Sequence, residues 1–215
     1  MNIASYIDHT QLKPDTNITQ IEKLCKEALL HNFAAVCVPP YYTSHCKEFL
    51  DGSDVHIATV IAFPFGYTSP VSKFSEADEC LQAGANELDV VLNLAALKSN
   101  QLNIIEEELR FMKTACMDQG TVFKYIIECG MLTAEEFKTI LKLCNQYKPD
   151  FVKTSTGIMS RGAELNDILI MRKHLSKNIG IKASGGIKNK EQAAEMITAG
   201  ATRIGTSHGI SIISN

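Results

Sequence analysis

Asp150-Phe151-Val152-Lys153-Thr154-Ser155-Thr156-Gly157 reads as a short strand running into a turn. Strand side chains alternate faces, so Phe151, Lys153 and Ser155 share one side and Val152, Thr154 and Thr156 the other. A lysine near the end of an apolar, β-branched run is unusual, because lysine is almost never fully buried unless it is paired or used. Taken alone, the stretch is equally well explained by an exposed edge strand or a lysine that snorkels to water. The same pattern recurs, however, at Asp89 in Glu87-Leu88-Asp89-Val90-Val91-Leu92-Asn93 and at Lys182 in Gly180-Ile181-Lys182-Ala183-Ser184-Gly185.

Outward from this stretch, strand and helix patterns alternate. Apolar runs at Ser5 to Leu12, Phe33 to Val38, Val55 to Phe63, Glu87 to Asn93, Val122 to Cys129, Ile179 to Ser184 and Thr202 to Thr206 read as strands. Between them lie helical repeats. Ile18, Ile21, Leu24, Cys25, Ala28 and Leu29 follow Asp15 or Thr16 as N-cap, and Tyr42 to Leu50 and Ser72 to Ala83 form two more. Ile104, Leu109, Met112 and Cys116 share a face of a longer helix; Thr133 and Glu136 have capping-box spacing ahead of Phe137, Ile140, Leu141 and Cys144. About eight βα units over 215 residues predict a single (β/α)8 barrel spanning 1–215, near the small end for this architecture, with a doubly wound open sheet as the alternative.

Composition excludes several classes. The chain is 45% hydrophobic and 21% charged, with a net charge of -3, which gives no basic footprint for nucleic acid and no polybasic membrane segment. No apolar run approaches the roughly 20 residues of a membrane span, and Met1-Asn2-Ile3-Ala4-Ser5 lacks a signal-peptide layout. Seven cysteines without a Cys-x-x-Cys pair read as free thiols in a reducing compartment, so a cytoplasmic location is expected.

In a parallel barrel, reactive groups sit at the C-terminal ends of the strands. Asp89, Lys153 and Lys182 occur late in their strands, flanked by apolar residues that face the covering helices, so each is expected to point inward. A structural ion pair explains any one of them. Two lysines and an aspartate converging in one interior are harder to explain as packing, because buried charge destabilises unless paired. The set suits amine catalysis. If Lys182 stays charged beside Lys153, it holds Lys153 partly neutral and able to attack an aldehyde, with Asp89 stabilising the cation and relaying protons. Electrostatics alone leaves open which lysine reacts, since the pair is coupled.

Gly157, Gly185-Gly186 and Gly205-Thr206-Ser207-His208-Gly209 all follow strands, where backbone N–H groups can approach an oxyanion. Each glycine alone can serve a tight turn; together they predict a phosphate on the substrate. The six histidines have no metal-ligand spacing. Cys37 reads as a buried structural thiol. Glu128, ending a strand, stays unassigned between a catalytic role and pairing with a lysine. Asp8 and Thr10 can bind hydroxyls or serve a turn.

At these residues the sequence resembles the deoxyribose-phosphate aldolases, a class I, Schiff-base family. The matching motifs are Asp8-His9-Thr10-x-Leu12-Lys13, Glu87 to Asn93, Phe151 to Gly157, Ile181-Lys182-Ala183-Ser184-Gly185-Gly186 and Arg203-Ile204-Gly205-Thr206-Ser207, so the likeness covers nearly the whole chain. The resemblance implies a (β/α)8 barrel, no metal or organic cofactor, and reversible cleavage of 2-deoxy-D-ribose 5-phosphate to D-glyceraldehyde 3-phosphate and acetaldehyde in deoxyribonucleotide catabolism. It implies a Schiff base on Lys153, a charged neighbour at Lys182 and a proton relay at Asp89. Phosphate binding is implied around Gly185, Gly186, Gly205, Ser207 and His208, and sugar contacts near Asp8, Thr156 and Gly157. A homodimer is the expectation for assembly. Two readings compete: a phosphosugar isomerase with Asp89 or Glu128 as base, and a non-catalytic phosphate-binding barrel with ion-paired lysines.

The chain departs from the family pattern in places. His208 stands where a serine is usual, so its phosphate contact would pass through an imidazole N–H and depend on pH. Pro39 replaces a common asparagine, and Ile158-Met159-Ser160-Arg161 lacks the usual extra glycines, with Arg161 read as a surface residue ahead of a phosphate contact. Some relatives carry a C-terminal tyrosine that helps move a proton; here that role is expected to fall to Asp89 and water.

Overall fold

The structure is a computed structural model and describes residues 2–214. Eight parallel strands close into a barrel in sequence order: β1 Ile7–Thr10, β2 Ala35–Val38, β3 His56–Ile61, β4 Glu87–Val91, β5 Val122–Ile126, β6 Phe151–Lys153, β7 Gly180–Ser184 and β8 Arg203–Thr206. Between them run α1 Ile18–His31, α2 Thr43–Phe49, α3 Pro70–Gln82, α4 Leu94–Lys98, α5 Leu102–Gln119, α6 Ala134–Tyr147, α7 Leu165–His174 and α8 Lys190–Thr198, and α9 Gly209–Ile213 follows β8. Closure of β1 against β8 rules out the open-sheet alternative.

Local chemistry sets the helix starts. Thr133 and Glu136 form the expected capping box at the head of α6. The N-cap of α1 is Asn17, not Thr16 or Asp15: its side chain accepts from the Gln20 N–H while the Gln20 side chain accepts from the Asn17 N–H. Ser69 caps α3 with Pro70 at the first helical position, where a missing N–H costs nothing. Asn93, expected in a strand, instead caps the short helix α4.

The strands are shorter than their apolar runs, β1 and β5 for visible local reasons. The first 3₁₀ turn takes Ala4–Tyr6 before β1 begins, and β5 stops at Ile126 because Glu128 adopts a left-handed backbone with φ 52°.

Two kinds of interior result from the alternation. Outward-facing Val36, Leu88, Val90, Phe123, Tyr125, Val152, Ile181 and Ile204 pack under the helices in one continuous core. Inside the barrel, β2 and β3 contribute a small apolar cluster of Ala35, Cys37, Ala58 and Val60. The opposite side of the interior is charged: Asp8, Glu87, Asp89, Lys124 and Lys182 are fully inaccessible and Lys153 is 3% exposed. Most barrels fill this space with branched apolar side chains. Here one side of it is ionic.

Candidate active site

Strand register builds the charged cluster. Asp89 is paired with Lys124 across β4 and β5, Lys153 with Lys182 across β6 and β7, and Lys182 with Arg203 across β7 and β8. Neighbouring positions of one pleat share a face, so all these side chains enter the barrel together. Asp89 lies at the centre. Its Oδ1 accepts from Lys124 Nζ at 2.7 Å, and its Oδ2 accepts from both Lys153 Nζ and Lys182 Nζ at 2.7 Å.

Below this junction, Lys124 also meets Glu87 at 2.5 Å, and Lys182 forms an ion pair with Asp8. Arg203 donates to Asp8 at 2.6 Å and lies 3.3 Å from Glu87. The half-exposed His56 Nδ1 reaches Glu87 at 2.8 Å. Leaving the peripheral His56 aside, four cations (Lys124, Lys153, Lys182, Arg203) face three carboxylates (Asp8, Glu87, Asp89).

Two of the carboxylates and three of the cations are held in their charged forms. Burial works against ionising Asp89, but Lys124, Lys153 and Lys182 outweigh it and hold the carboxyl well below the usual range. Glu87 is likewise depressed against its burial, by Lys124, its hydrogen bond with His56, and Arg203. For Lys182, desolvation is outweighed by Asp8 and Asp89, so its ammonium is held above the ordinary lysine range. Asp89 and Glu87 do the same for Lys124.

Gly205 makes room for this packing. A Cβ there would lie 2.8 Å from Ser184 Cβ and 3.0 Å from Lys182 Cε, so a side chain would force Ser184 to shift and crowd Lys182.

Above the cluster, at the C-terminal mouth of the strands, opens a cavity of about 340 Å³. Lys153 reaches its floor from the charged set. The remaining wall brings together predicted residues from three loops: Thr156 and Gly157 after β6, Gly185 and Gly186 after β7, and Gly205, Ser207 and His208 after β8. Gly185 and Gly186 take positive φ of 85° and 80°, a conformation that glycine adopts without strain. Gly185 also touches Gly162 and Gly157, where an added Cβ would meet their Cα atoms at 2.9 and 3.2 Å. Ser207 Oγ and His208 Nδ1 are 3.1 Å apart on the exposed rim.

Asp8 is fully buried and ion-paired with Arg203 and Lys182, and is not among the residues that line the cavity. Among the described residues Glu128 pairs with no lysine; it accepts from Thr156 N–H at 2.8 Å and Ser160 O–H at 2.6 Å. Arg161 grips Asp167 through both terminal nitrogens, at 2.5 and 2.9 Å, consistent with a structural role near the surface. Cys37 is buried inside the barrel, where desolvation pushes its thiol up despite the nearby Lys182.

Three members of the cluster escaped the sequence reading: Glu87, Lys124 and Arg203. A signal for Lys124 existed, since Val122-Phe123-Lys124-Tyr125-Ile126 is another apolar strand with one inward lysine. Lys13 and Lys188 also line the cavity and add positive charge at its rim.

Comparison with known proteins places the chain. A family model described as DeoC/LacD family aldolase matches residues 2–214. A protein of Brevibacillus brevis named deoxyribose-phosphate aldolase is 46% identical over 213 residues, covering 99% of this chain and 96% of the relative. Its namesake from Caldicellulosiruptor saccharolyticus is also 46% identical over 213 residues, covering 99% and 97%. Among solved structures, a tetrameric deoxyribose phosphate aldolase from Aeropyrum pernix superposes with a TM-score of 0.92 at 30% identity, covering 99% of this chain and 89% of that one. QR15, described as an aldolase, gives a TM-score of 0.90 at 38% identity, covering 98% and 93%. The chain belongs to the DeoC/LacD aldolase family.

Proposed function

We propose that this member of the DeoC/LacD aldolases reversibly cleaves 2-deoxy-D-ribose 5-phosphate to D-glyceraldehyde 3-phosphate and acetaldehyde through a Schiff base on Lys153, in the breakdown of deoxyribonucleotides. One observation carries the reading. Of the four cations in the charged cluster, Lys153 is the one that lines the cavity, and it shares Asp89 Oδ2 with a lysine held charged. Four cations against three carboxylates leave one positive charge in excess. In a low-dielectric interior that excess is relieved when one amine gives up its proton. Arg203 does not deprotonate; Lys124 meets three carboxylates and Lys182 two, whereas Lys153 meets one.

The chemistry follows. In its neutral form the Lys153 amine adds to the C1 aldehyde of the open-chain sugar, and the carbinolamine takes up a proton from bound water and loses water to give a protonated Schiff base. That cation withdraws electrons. When the C3 hydroxyl gives its proton to bound water, the C2–C3 bond breaks, its pair flows into the iminium, and the three-carbon aldehyde departs. Protonation of the resulting enamine at C2 and hydrolysis release acetaldehyde and restore the amine. Asp89, ionised and bonded to Lys153, stabilises the cationic steps, and protons pass between the amine and bound water beside it.

The phosphate is read by Gly185, Gly186, Gly205, Ser207 and His208, with Lys13 and Lys188 supplying charge at the rim. Thr156 and Gly157 face the sugar. An isomerase without a covalent step is less well supported, because Asp89 and Glu128 are both buried and engaged by other groups. Borohydride reduction with acetaldehyde, followed by peptide mapping, tests the proposal. A two-carbon adduct on Lys153 is expected; absence of an adduct on any lysine rejects it.

Among the described residues, no helix is long and apolar enough to cross a membrane. All seven cysteines are free and buried, which suits a reducing compartment such as the cytoplasm. A homodimer is proposed for the assembly on the strength of exposed apolar side chains at Phe65, Tyr67, Val71 and Phe74. Light scattering distinguishes it from a monomer or the tetramer of the Aeropyrum pernix relative.

A further inference from the structure

Glu128 is a buried carboxylate that the mechanism above does not use. Its residue is fully inaccessible, and its backbone is held in the left-handed region at φ 52° and ψ 61°, an uncommon conformation for a residue with a side chain. Both of its oxygens are committed across a strand boundary. Oε2 accepts from Thr156 N–H at 2.8 Å and Oε1 from Ser160 O–H at 2.6 Å. The turn after β5 is thereby fastened to the loop after β6, and Cys129 N–H adds a backbone bond to Thr154 O at 2.8 Å.

The fastened loop has a chemical consequence at Thr156, which lines the cavity. Its Oγ1 accepts from Ile158 N–H at 3.2 Å and from Met159 N–H at 3.3 Å. A hydroxyl offers two lone pairs and one hydrogen. With both lone pairs taken, Thr156 has only its hydrogen left to offer a ligand.

We infer that Glu128 is a positioning residue for substrate recognition: by holding the Thr156 N–H it fixes the turn that makes Thr156 a dedicated hydrogen-bond donor to an oxygen of the sugar. The inference rests on the proposed aldolase reading and deepens it, assigning selectivity for a hydroxylated substrate to a residue that never touches it. Acetaldehyde has no hydroxyl, so its capture by Lys153 should not need Glu128.

The test compares two reactions in wild type and variants. Wild-type trapping of acetaldehyde on Lys153 is measured first, and its failure rejects the Schiff-base reading while leaving the Glu128 inference to be judged from sugar-phosphate KM. Glu128→Ala is expected to raise KM for 2-deoxyribose 5-phosphate about tenfold, as for loss of a buried hydrogen-bond acceptor, with the acetaldehyde-trapping rate within about twofold of wild type. Glu128→Gln keeps an acceptor for the Thr156 N–H and is expected to recover most of the KM loss. In a Thr156→Val background, Glu128→Ala should add little, because both act through one donor. Ser160→Ala, which removes the second anchor at a partly exposed site, should raise KM a few-fold and serves if the alanine variant at Glu128 does not fold. Equal losses in trapping and in sugar cleavage, or losses at Glu128 and Thr156 that multiply, would overturn the inference.

Discussion

Lys153 and Lys182 direct their amine nitrogens at the same oxygen, Oδ2 of Asp89, each at 2.7 Å. Two like charges converging on one acceptor repel each other, and the carboxylate is what holds them together. Lys182 has Asp8 as a second counter-ion, whereas among the described residues Lys153 pairs with Asp89 alone, so the asymmetry is built into the packing.

Removing the proposed nucleophile separates chemistry from folding. Lys153→Ala should lower turnover by more than about four orders of magnitude, as for other nucleophile deletions, and eliminate the borohydride adduct. The same change takes one cation from an excess of cations. Stability should therefore stay within about 1 kcal/mol of wild type, measured by urea denaturation. A marked loss of stability would mean that Lys153 is chiefly a structural ion-pair partner.

Lys182→Met keeps the length of the side chain and removes its charge. Without that neighbour, Asp89 favours the protonated form of Lys153, so the acidic limb of the kcat/KM profile should move up by about one pH unit. Asp8 loses a buried counter-ion at the same time, and stability should fall by about 3 kcal/mol or more. A pH–rate profile unchanged by the substitution would contradict the role given to Lys182.

The cluster also fixes the response of stability to pH. Asp89 and Glu87 are depressed in the folded state relative to unfolded values of about 4, so the stability they contribute is fully present above that value. It is lost as pH falls below about 4 toward the folded values. Lys182 is raised in the folded state, so its contribution is complete below the unfolded lysine value of about 10.4 and is lost only as pH rises beyond it. Calorimetry should show no fall in Tm from these groups between about pH 5 and 9, and a steep fall below 4. Lys124→Met removes a counter-ion from both carboxylates and should shift the acid limb toward higher pH.

A second buried ion pair lies outside the barrel and offers a control without catalytic consequence. Lys73 on α3 pairs with Glu108 on α5 and donates to Val91 O at 2.5 Å, while Tyr125 O–H donates to Glu108 at 2.6 Å. Burial pushes the Lys73 amine down and the Glu108 carboxyl up, each against the pull of its partner. Lys73→Met alone should cost about 3–5 kcal/mol, because it strands a buried carboxylate. Lys73→Met with Glu108→Gln keeps an acceptor for Tyr125 and should restore most of that loss in chemical denaturation.

Local sequence carried the alternation of strands and helices, and with it the barrel. Period-two patterns and capping groups such as Thr133 with Glu136 act within a few residues, so they can be read directly from the chain. The lysines at 153 and 182 and the aspartate at 89 were legible for the same reason: each is a charge in an apolar strand. Boundaries were less so, as Asn17 and Asn93 show, because neighbouring residues compete for the same cap.

Which charges meet was decided by tertiary structure alone. Closing β8 onto β1 and setting the register of β4 against β5 put Lys124 on Asp89 and Asp8 beneath Lys182, between positions far apart in the chain. A one-residue slip in any strand would send its side chains to the opposite face. That dependence on long-range pairing is why the local motif around Asp8 gave no sign of its ion pairs with Lys182 and Arg203.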